Sequence, residues 1–252
     1  MKNIKLVIAY DGTDYHGFQR QPQCKTIQGT IEESLSRLTK ESIQVVGSGR
    51  TDRGVHAWGQ VCHFYTHSPI PAEKYAMILR DQLPRDILVC SSEEVPLSFH
   101  AQKDACWKTY RYQIETNAIP NVFERRYYTH LPGPLDLKQM QIAAQYLLGT
   151  HDFTAFCSAK TQVKNRVRTL YDCKVEAIDR KVWIEVTGSG FLYNMVRIIA
   201  GTLYLVGRKK LDPEQIIDIR QSLNRQNAGP TLPPEGLVLV RVGYRPWKSR
   251  DS

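Results

Sequence analysis

The residues best suited to chemistry concentrate in three segments. The first is Gly47-Ser48-Gly49-Arg50-Thr51-Asp52-Arg53-Gly54-Val55-His56-Ala57. A β-forming run, 43–46, leads into a glycine-dense loop that sets two arginines around one carboxylate. A Walker phosphate loop needs Gly-Lys-Ser/Thr, but Gly54 is followed by Val55 and His56. A dinucleotide fingerprint needs glycine at 47, 49 and 52, but 52 is Asp. Both nucleotide readings fail. Two roles stay open for Asp52. It is a turn residue, as Asp often is, or it is a nucleophile or general base, kept ionised by Arg50 and Arg53, which also attract an anion. Glycosidases place two carboxylates astride a C–O bond, and no second acid accompanies Asp52 locally. The same lack disfavours a metal-dependent nuclease. A lone carboxylate in a basic, aromatic-lined cleft fits chemistry on the sugar or base of a nucleoside.

The second segment is Phe99-His100-Ala101 followed by Lys108-Thr109-Tyr110-Arg111-Tyr112. Strand alternation puts Tyr110 and Tyr112 on one face and Arg111 on the other. Aromatics beside cations suit stacked bases and phosphates, while tyrosines also pack ordinary strands. The third is Gly188-Ser189-Gly190-Phe191-Leu192-Tyr193-Asn194-Met195-Val196-Arg197. Arg197 stands in an otherwise apolar helix. There it either meets a partner, because an unpaired buried charge is costly, or snorkels out along its aliphatic stem.

These segments need elements to position them. Apolar Ile27, Ile31, Leu35 and Leu38 recur at helical spacing. Strands are expected at 4–10, 43–46, 60–66 and 87–95, with helices at 27–38 and 71–83, the latter opened by Pro71. The second half repeats the order. Strands fall at 107–115, 170–178, 181–187 and 237–243, with a hairpin turning at Asp179-Arg180. Helices fall at 137–148, 191–206 and 213–223. Both halves read β-α-β-β-α-β, give or take one helix. The expected fold is therefore α+β, two ferredoxin-like halves with antiparallel sheets. The halves are expected at 1–105, carrying the Asp52 loop, and 106–252, carrying the Tyr110 strand and the Arg197 helix.

Composition sets the frame. The chain has 252 residues, 42% hydrophobic and 23% charged, which excludes wholesale disorder or a collagen-like repeat. Lys and Arg number 34 against 25 Asp and Glu, a net charge of +9. That balance points to a polyanionic partner, nucleic acid first. Basic clusters stand at Arg125-Arg126, at 160–168, at 208–210 and in a short tail in the 250s. The apolar opening run ends at Asp11 and Asp14, which speaks against a secretory signal, and no stretch is long enough to span a membrane. The six cysteines form no CxxC pair, which speaks against a zinc ribbon or a redox dithiol. Four are expected as packed free thiols in a reducing compartment. His63 and His67 are four apart but stand at a strand end, with no HExxH motif, so metal binding is not expected.

Taken together, these motifs resemble the tRNA pseudouridine synthase A family over nearly the whole chain. Tyr10-Asp11-Gly12 with Tyr15, Gly17, Phe18, Gln19 and Gln21 matches its opening motif, and Gly49-Arg50-Thr51-Asp52 with Gly54-Val55-His56-Ala57 its catalytic motif. Phe99-His100-Ala101, Tyr110-Arg111-Tyr112, Leu148-Gly149 with His151-Asp152-Phe153, Met195-Val196-Arg197 and Gly236-Leu237 follow in the family's order. The resemblance implies isomerisation of uridine to pseudouridine at positions 38, 39 and 40 of the tRNA anticodon stem-loop. It implies no metal and no cofactor, a central cleft between the two halves, a homodimer, and a cytoplasmic protein. By motif, Asp52 corresponds to the nucleophilic carboxylate and Tyr110 to the ring packed on the target uracil. Arg197 corresponds to the cationic partner of Asp52, and Arg50 to the residue that helps hold the base flipped out. Gln102 replaces a common Arg and Val238 a common aromatic, which puts one phosphate contact and some packing in question. A non-catalytic tRNA-binding protein or RNA chaperone is the alternative reading.

Overall fold

The computed structural model describes residues 1–161 and 163–248; the tail in the 250s lies outside the described residues. In chain order the elements are β1 (Lys2–Tyr10), α1 (Ile27–Thr39), β2 (Val46–Gly47), β3 (His56–Thr66), α2 (Lys74–Gln82), β4 (Ile87–Val95), β5 (Trp107–Glu115), β6 (Thr129–His130) and α3 (Leu137–Gln145). They continue with β7 (Gly149–Asp152), β8 (Val167–Ile178), β9 (Lys181–Gly188), α4 (Met195–Gly207), α5 (Gln215–Gln221) and β10 (Leu237–Gly243). The protein is a mixed α+β chain that divides into two compact units, Met1–Cys106 together with the chain from Val238, and Trp107–Leu237.

In the first unit β1 is flanked by antiparallel β4 and β3. The far edge of β3 is shared: β10 runs parallel to it at His56 and Ala57, and β2 pairs antiparallel at Cys62 and His63. Alternation along β1 buries Ile4, Leu6 and Ile8 completely, as helical spacing on α1 buries Ile27, Ile31 and Leu35. Phe64 and Tyr75 join this core, ring to ring at 5.3 Å and 77°. The Thr26 hydroxyl caps α1 by accepting from Gly29 N–H at 3.2 Å.

In the second unit β5, β9, β8 and β7 follow one another antiparallel, and β6 pairs parallel with β5. The β8–β9 hairpin turns at Asp179-Arg180, with Asp179 at φ +55°. Tyr112, Ile114, Ile184 and Val186 on the strands are fully buried, as are Met140, Ala143 and Ala144 on α3 and Ile198, Ile199 and Leu203 on α4.

Several expected boundaries move, each for a local reason. The run 43–46 is not a strand. Ile43 N–H donates to Ser36 Oγ and Val45 N–H to Glu32 Oε1, so side chains of α1 satisfy that backbone and only Val46 and Gly47 pair with β3. Helix α2 starts at Lys74 because the chain from Pro71 first makes a turn, with Lys74 N–H donating to Pro71 O. Helix α4 starts at Met195 because Asn194 takes a left-handed φ of +62°. Helix α3 ends at Gln145, where i→i+3 bonds from Tyr146, Leu147 and Leu148 tighten the chain. The segment from Val238, placed by sequence in the second half, packs with the first unit, because strand pairing to β3 is long-range. Three cysteines rather than four are buried: Cys62, Cys157 and Cys173. Among the described residues no helix is long and apolar enough to cross a membrane.

Candidate active site

In the first unit Asp52 lies on the loop between β2 and β3. The loop's backbone is gripped from three sides. At its start, Ser48 N–H donates to Val61 O at 2.7 Å and Ser48 Oγ to Gln60 Oε1 at 2.6 Å, while Gln60 Nε2 donates to Gly49 O at 3.0 Å. In its middle, the Tyr10 hydroxyl bonds Thr51 Oγ1 at 2.8 Å, and Phe18 N–H donates to Thr51 O at 3.1 Å. Burial pushes the Tyr10 phenol well above its ordinary range, so it stays a neutral hydroxyl. At its end, Asp52 O accepts from Val55 N–H at 3.1 Å, and Gly12 N–H donates to His56 Nδ1 at 3.1 Å.

Two glycines allow this grip. A Cβ on Gly17, at φ +85°, would stand 2.6 Å from Thr51 O, and one on Gly12 would stand 2.0 Å from Val55 O. Backbone therefore lies directly on backbone, and the opening motif Tyr10-Asp11-Gly12 with Gly17 and Phe18 is the mould of the Asp52 loop. Asp52 itself is half-buried, and Arg50 and Arg53 on either side are exposed. A fixed backbone with one carboxylate and adjacent exposed cations is suited to positioning a reactive oxygen beside a polyanion.

In the second unit Tyr110 sits on β5 opposite Val186 and is 8% exposed. Its ring meets that of Phe191 edge-on. Lys108, two residues earlier on the same strand face, has its ammonium pushed down to about 8 by burial. Arg111 is cross-strand packing: its Nε and Nη2 donate to Glu185 Oε2 at 3.1 and 2.8 Å, and it lies over the Trp183 ring at 5.6 Å. Tyr112 is core. Its hydroxyl donates to Pro233 O at 2.7 Å and bonds Thr129 Oγ1 at 2.6 Å. Arg197, in the first turn of α4, is half-buried; its Nε donates to Leu232 O at 2.6 Å and its Nη1 to Asn194 Oδ1 at 2.9 Å. Leu232 N–H returns a bond to Arg197 O at 3.3 Å, so this residue straps the 228–236 loop to the helix. Thus Arg50 and Asp52 share one loop of the first unit, and Tyr110 and Arg197 belong to the second.

A family model described as tRNA pseudouridine synthase matches residues 6–102 and 143–245. The chain belongs to the tRNA pseudouridine synthase family. A tRNA pseudouridine synthase A of Brevibacillus brevis is 52% identical over 97% of this chain and 100% of its own length. Those of Acetivibrio thermocellus and Bacillus pumilus are 48% and 46% identical, covering 97% and 96% of this chain and 100% and 98% of theirs. With these relatives the chain is an isomerase of pseudouridine synthesis. Arg50, Asp52 and Arg197 fall within the pseudouridine synthase match, and Tyr110 lies in the stretch between its two parts.

Other motifs that mark the pseudouridine synthase family are structural here. Phe99-His100-Ala101 is a clasp within the first unit: Ala101 N–H donates to His63 Nδ1 at 3.1 Å, and Ala101 O accepts from the Tyr244 hydroxyl at 2.7 Å. The Phe99 ring lies 5.1 Å from that of Tyr244. Gln102 is exposed just past this clasp, and Val238 is buried opposite His56. His151 closes a turn onto Leu148 O at 2.7 Å, and Asp152 accepts from Thr154 N–H at 2.8 Å. Sequence reasoning gave no role to Gln60, read as an ordinary strand residue, or to Phe191, read as the start of a helix. The Gly-Ser-Gly before Phe191 was the available signal that this ring stands on a turn.

Proposed function

We propose that the protein isomerises uridine to pseudouridine at positions 38, 39 and 40 of the tRNA anticodon stem-loop, with Asp52 as the catalytic carboxylate. The N1–C1′ bond breaks, the uracil turns, and C5 bonds to C1′. The proton on C5 leaves and N1 regains one, so nothing is oxidised and no water is consumed. Asp52 supplies the reactive oxygen. Tyr110 packs on the uracil, Arg50 helps hold the base out of the stack, and Arg197 is the cation that keeps Asp52 ionised. Taking a base out of the stack costs a few kcal/mol, which ring and cations offset.

The observation that carries this reading is the grip on the Asp52 loop: a buried hydroxyl, a buried amide and two glycine contacts hold its backbone, while Asp52 itself stays half-exposed. Turn-making alone requires no such mould. The same reading takes each unit as ferredoxin-like, supported in the first by the strand order β4-β1-β3 with β2 on β3. It also takes the working form as a cytoplasmic homodimer bound to tRNA. The test is to map pseudouridine in unmodified tRNA transcripts after incubation with the protein in EDTA, beside Asp52→Ala. Product at 38–40 with wild type only is the expected result. Binding without product in both would favour a non-catalytic RNA-binding protein.

A further inference from the structure

The segment 116–128, between β5 and β6 of the second unit, contains neither helix nor strand, yet it is firmly anchored. The carboxylate of Glu115, 2% exposed, accepts from Asn117 Nδ2 at 2.8 Å and from Asn121 N–H at 3.1 and 3.2 Å. Gln113 Nε2 donates to Tyr127 O at 2.8 Å. Lys181 on β9 pairs with Glu124 and lies over the Tyr128 ring at 5.1 Å. Within the loop, Asn121 Oδ1 accepts from Phe123 N–H at 3.0 Å, and Arg125 Nη1 donates to Val122 O at 2.5 Å.

A loop already ordered at this many points could turn its apolar side chains inward at little further entropic cost. It does the opposite. Ile119 is 81% exposed, Val122 57% and Phe123 87%. Single exposed apolar residues are ordinary, but here three share one anchored tip, and Arg125 and Arg126, both exposed, follow directly.

We infer that this loop is a contact arm for unpaired RNA, with Phe123 as a stacking ring beneath a base and Arg125 and Arg126 on the neighbouring phosphates. An aromatic with flanking cations is the combination that single-stranded nucleic acid selects. A second copy of the chain is the poorer occupant. A two-fold contact sets a patch against itself and would bring the two exposed arginines of one copy close to those of the other. The net charge of +9 favours a polyanion in the same direction. The inference rests on the RNA reading above and extends it to residues outside the Asp52 loop, the Tyr110 strand and the Arg197 helix.

The experiment compares wild type, Phe123→Ala, Phe123→Trp and the double variant Arg125→Gln/Arg126→Gln. Affinity for an unmodified tRNA transcript is measured by filter binding over a salt series, with pseudouridine yield at saturating tRNA and molar mass by sedimentation alongside. Phe123→Ala should weaken binding about 5- to 150-fold, the range of one lost base–aromatic stack, and Phe123→Trp should restore it. The arginine variant should bind more weakly, with a log–log salt slope shallower by about 0.7–0.9 per lost phosphate contact. Yield at saturation should stay within twofold. Wild-type binding matched within twofold by Phe123→Ala would overturn the arm and leave the function standing. A change of molar mass with unchanged tRNA affinity would overturn it in favour of an interface between copies. A wild type that neither binds tRNA nor forms pseudouridine would overturn the function and the arm together.

Discussion

The ring of Phe191 meets the ring of Tyr110 edge-on, with centroids 5.2 Å apart and planes at 83°. The contact joins a strand residue to the turn that precedes α4, and it fixes the tilt of the tyrosine. Edge-to-face pairs contribute about 0.5–1.5 kcal/mol beyond their buried area. If Tyr110 packs on the uracil as proposed, Phe191 acts through it as a positioning residue. Phe191→Ala should lower kcat about tenfold to a hundredfold, the usual cost of about 1 Å of misplacement, with KM for tRNA little changed. Phe191→Tyr should restore most of the loss. Equal loss in both variants, or a change confined to KM, would assign Phe191 to substrate contact instead.

The bond between the Tyr10 and Thr51 hydroxyls makes a second prediction. Tyr10→Phe removes one partner and leaves Thr51 Oγ1, in a buried residue, without it. An unsatisfied buried hydroxyl costs about 1–3 kcal/mol, read as a lower urea midpoint with unchanged slope. The loop carrying Asp52 loosens at the same time. Single-turnover rate should fall while tRNA affinity stays within a few-fold, because binding is spread over many phosphate contacts. Loss of stability without loss of rate would show that the mould serves folding alone.

Arg197 carries a third. It donates to Leu232 O and Asn194 Oδ1, so Arg197→Met strands a carbonyl and destabilises the second unit by about 1–3 kcal/mol. Its proposed pairing with Asp52 adds a distinct signature. A stability cycle of Arg197→Met with Asp52→Asn should show coupling of about 0.5–3 kcal/mol, and Arg197→Met should cut single-turnover rate far more than affinity. Additive stabilities would leave Arg197 as the strap of the 228–236 loop and nothing more.

Burial of Lys108 sets a pH dependence. Its ammonium titrates near 8 in the folded protein against an ordinary 10.5. Between those values the unfolded chain holds the extra proton, so this residue makes stability rise with pH. Below pH 8 its charge costs up to about 3 kcal/mol. Lys108→Met should therefore be more stable than wild type at pH 7, by a margin that shrinks towards pH 10. Cys62 and Cys173 work the other way. Burial pushes both thiols up to about 12, so the stability they add is complete below pH 9 and is lost as pH climbs towards 12. Taking the difference between variant and wild type at each pH by urea unfolding isolates Lys108. A margin constant across pH would mean that its charge is solvated in the native state.

Local chemistry was legible where it was self-contained. β4 and β5 came out at their observed bounds because Pro96 stops the first and the alternating aromatics of the second end at Glu115, and the Asp179-Arg180 turn is written in two residues. The Asp52 loop stood out because glycine, arginine and aspartate rarely crowd so closely without reason. What was not legible depends on partners far along the chain. Arg111 read as a phosphate contact because Glu185, 74 residues away, could not be seen opposite it. The 43–46 run read as a strand because nothing local announces that Ser36 and Glu32 will take its N–H groups. Phe99-His100-Ala101 stood out as a motif, but nothing local announces that His63 and Tyr244 will close on it.

The parallel contact of Val238 and Leu239 with His56 and Ala57 has a temporal meaning. During synthesis every residue of the Asp52 loop has emerged long before Val238 is made. Until then the edge of β3 that begins directly after the loop shows open peptide groups at His56 and Ala57, in the state that invites wrong strand partners. Vectorial synthesis therefore finishes the carboxylate's platform late, after the whole of the second unit has left the ribosome. A nascent chain stalled at Leu237 would carry Arg50, Asp52, Tyr110 and Arg197, the side chains proposed for the site, and still lack the strand that pairs with β3 at His56 and Ala57.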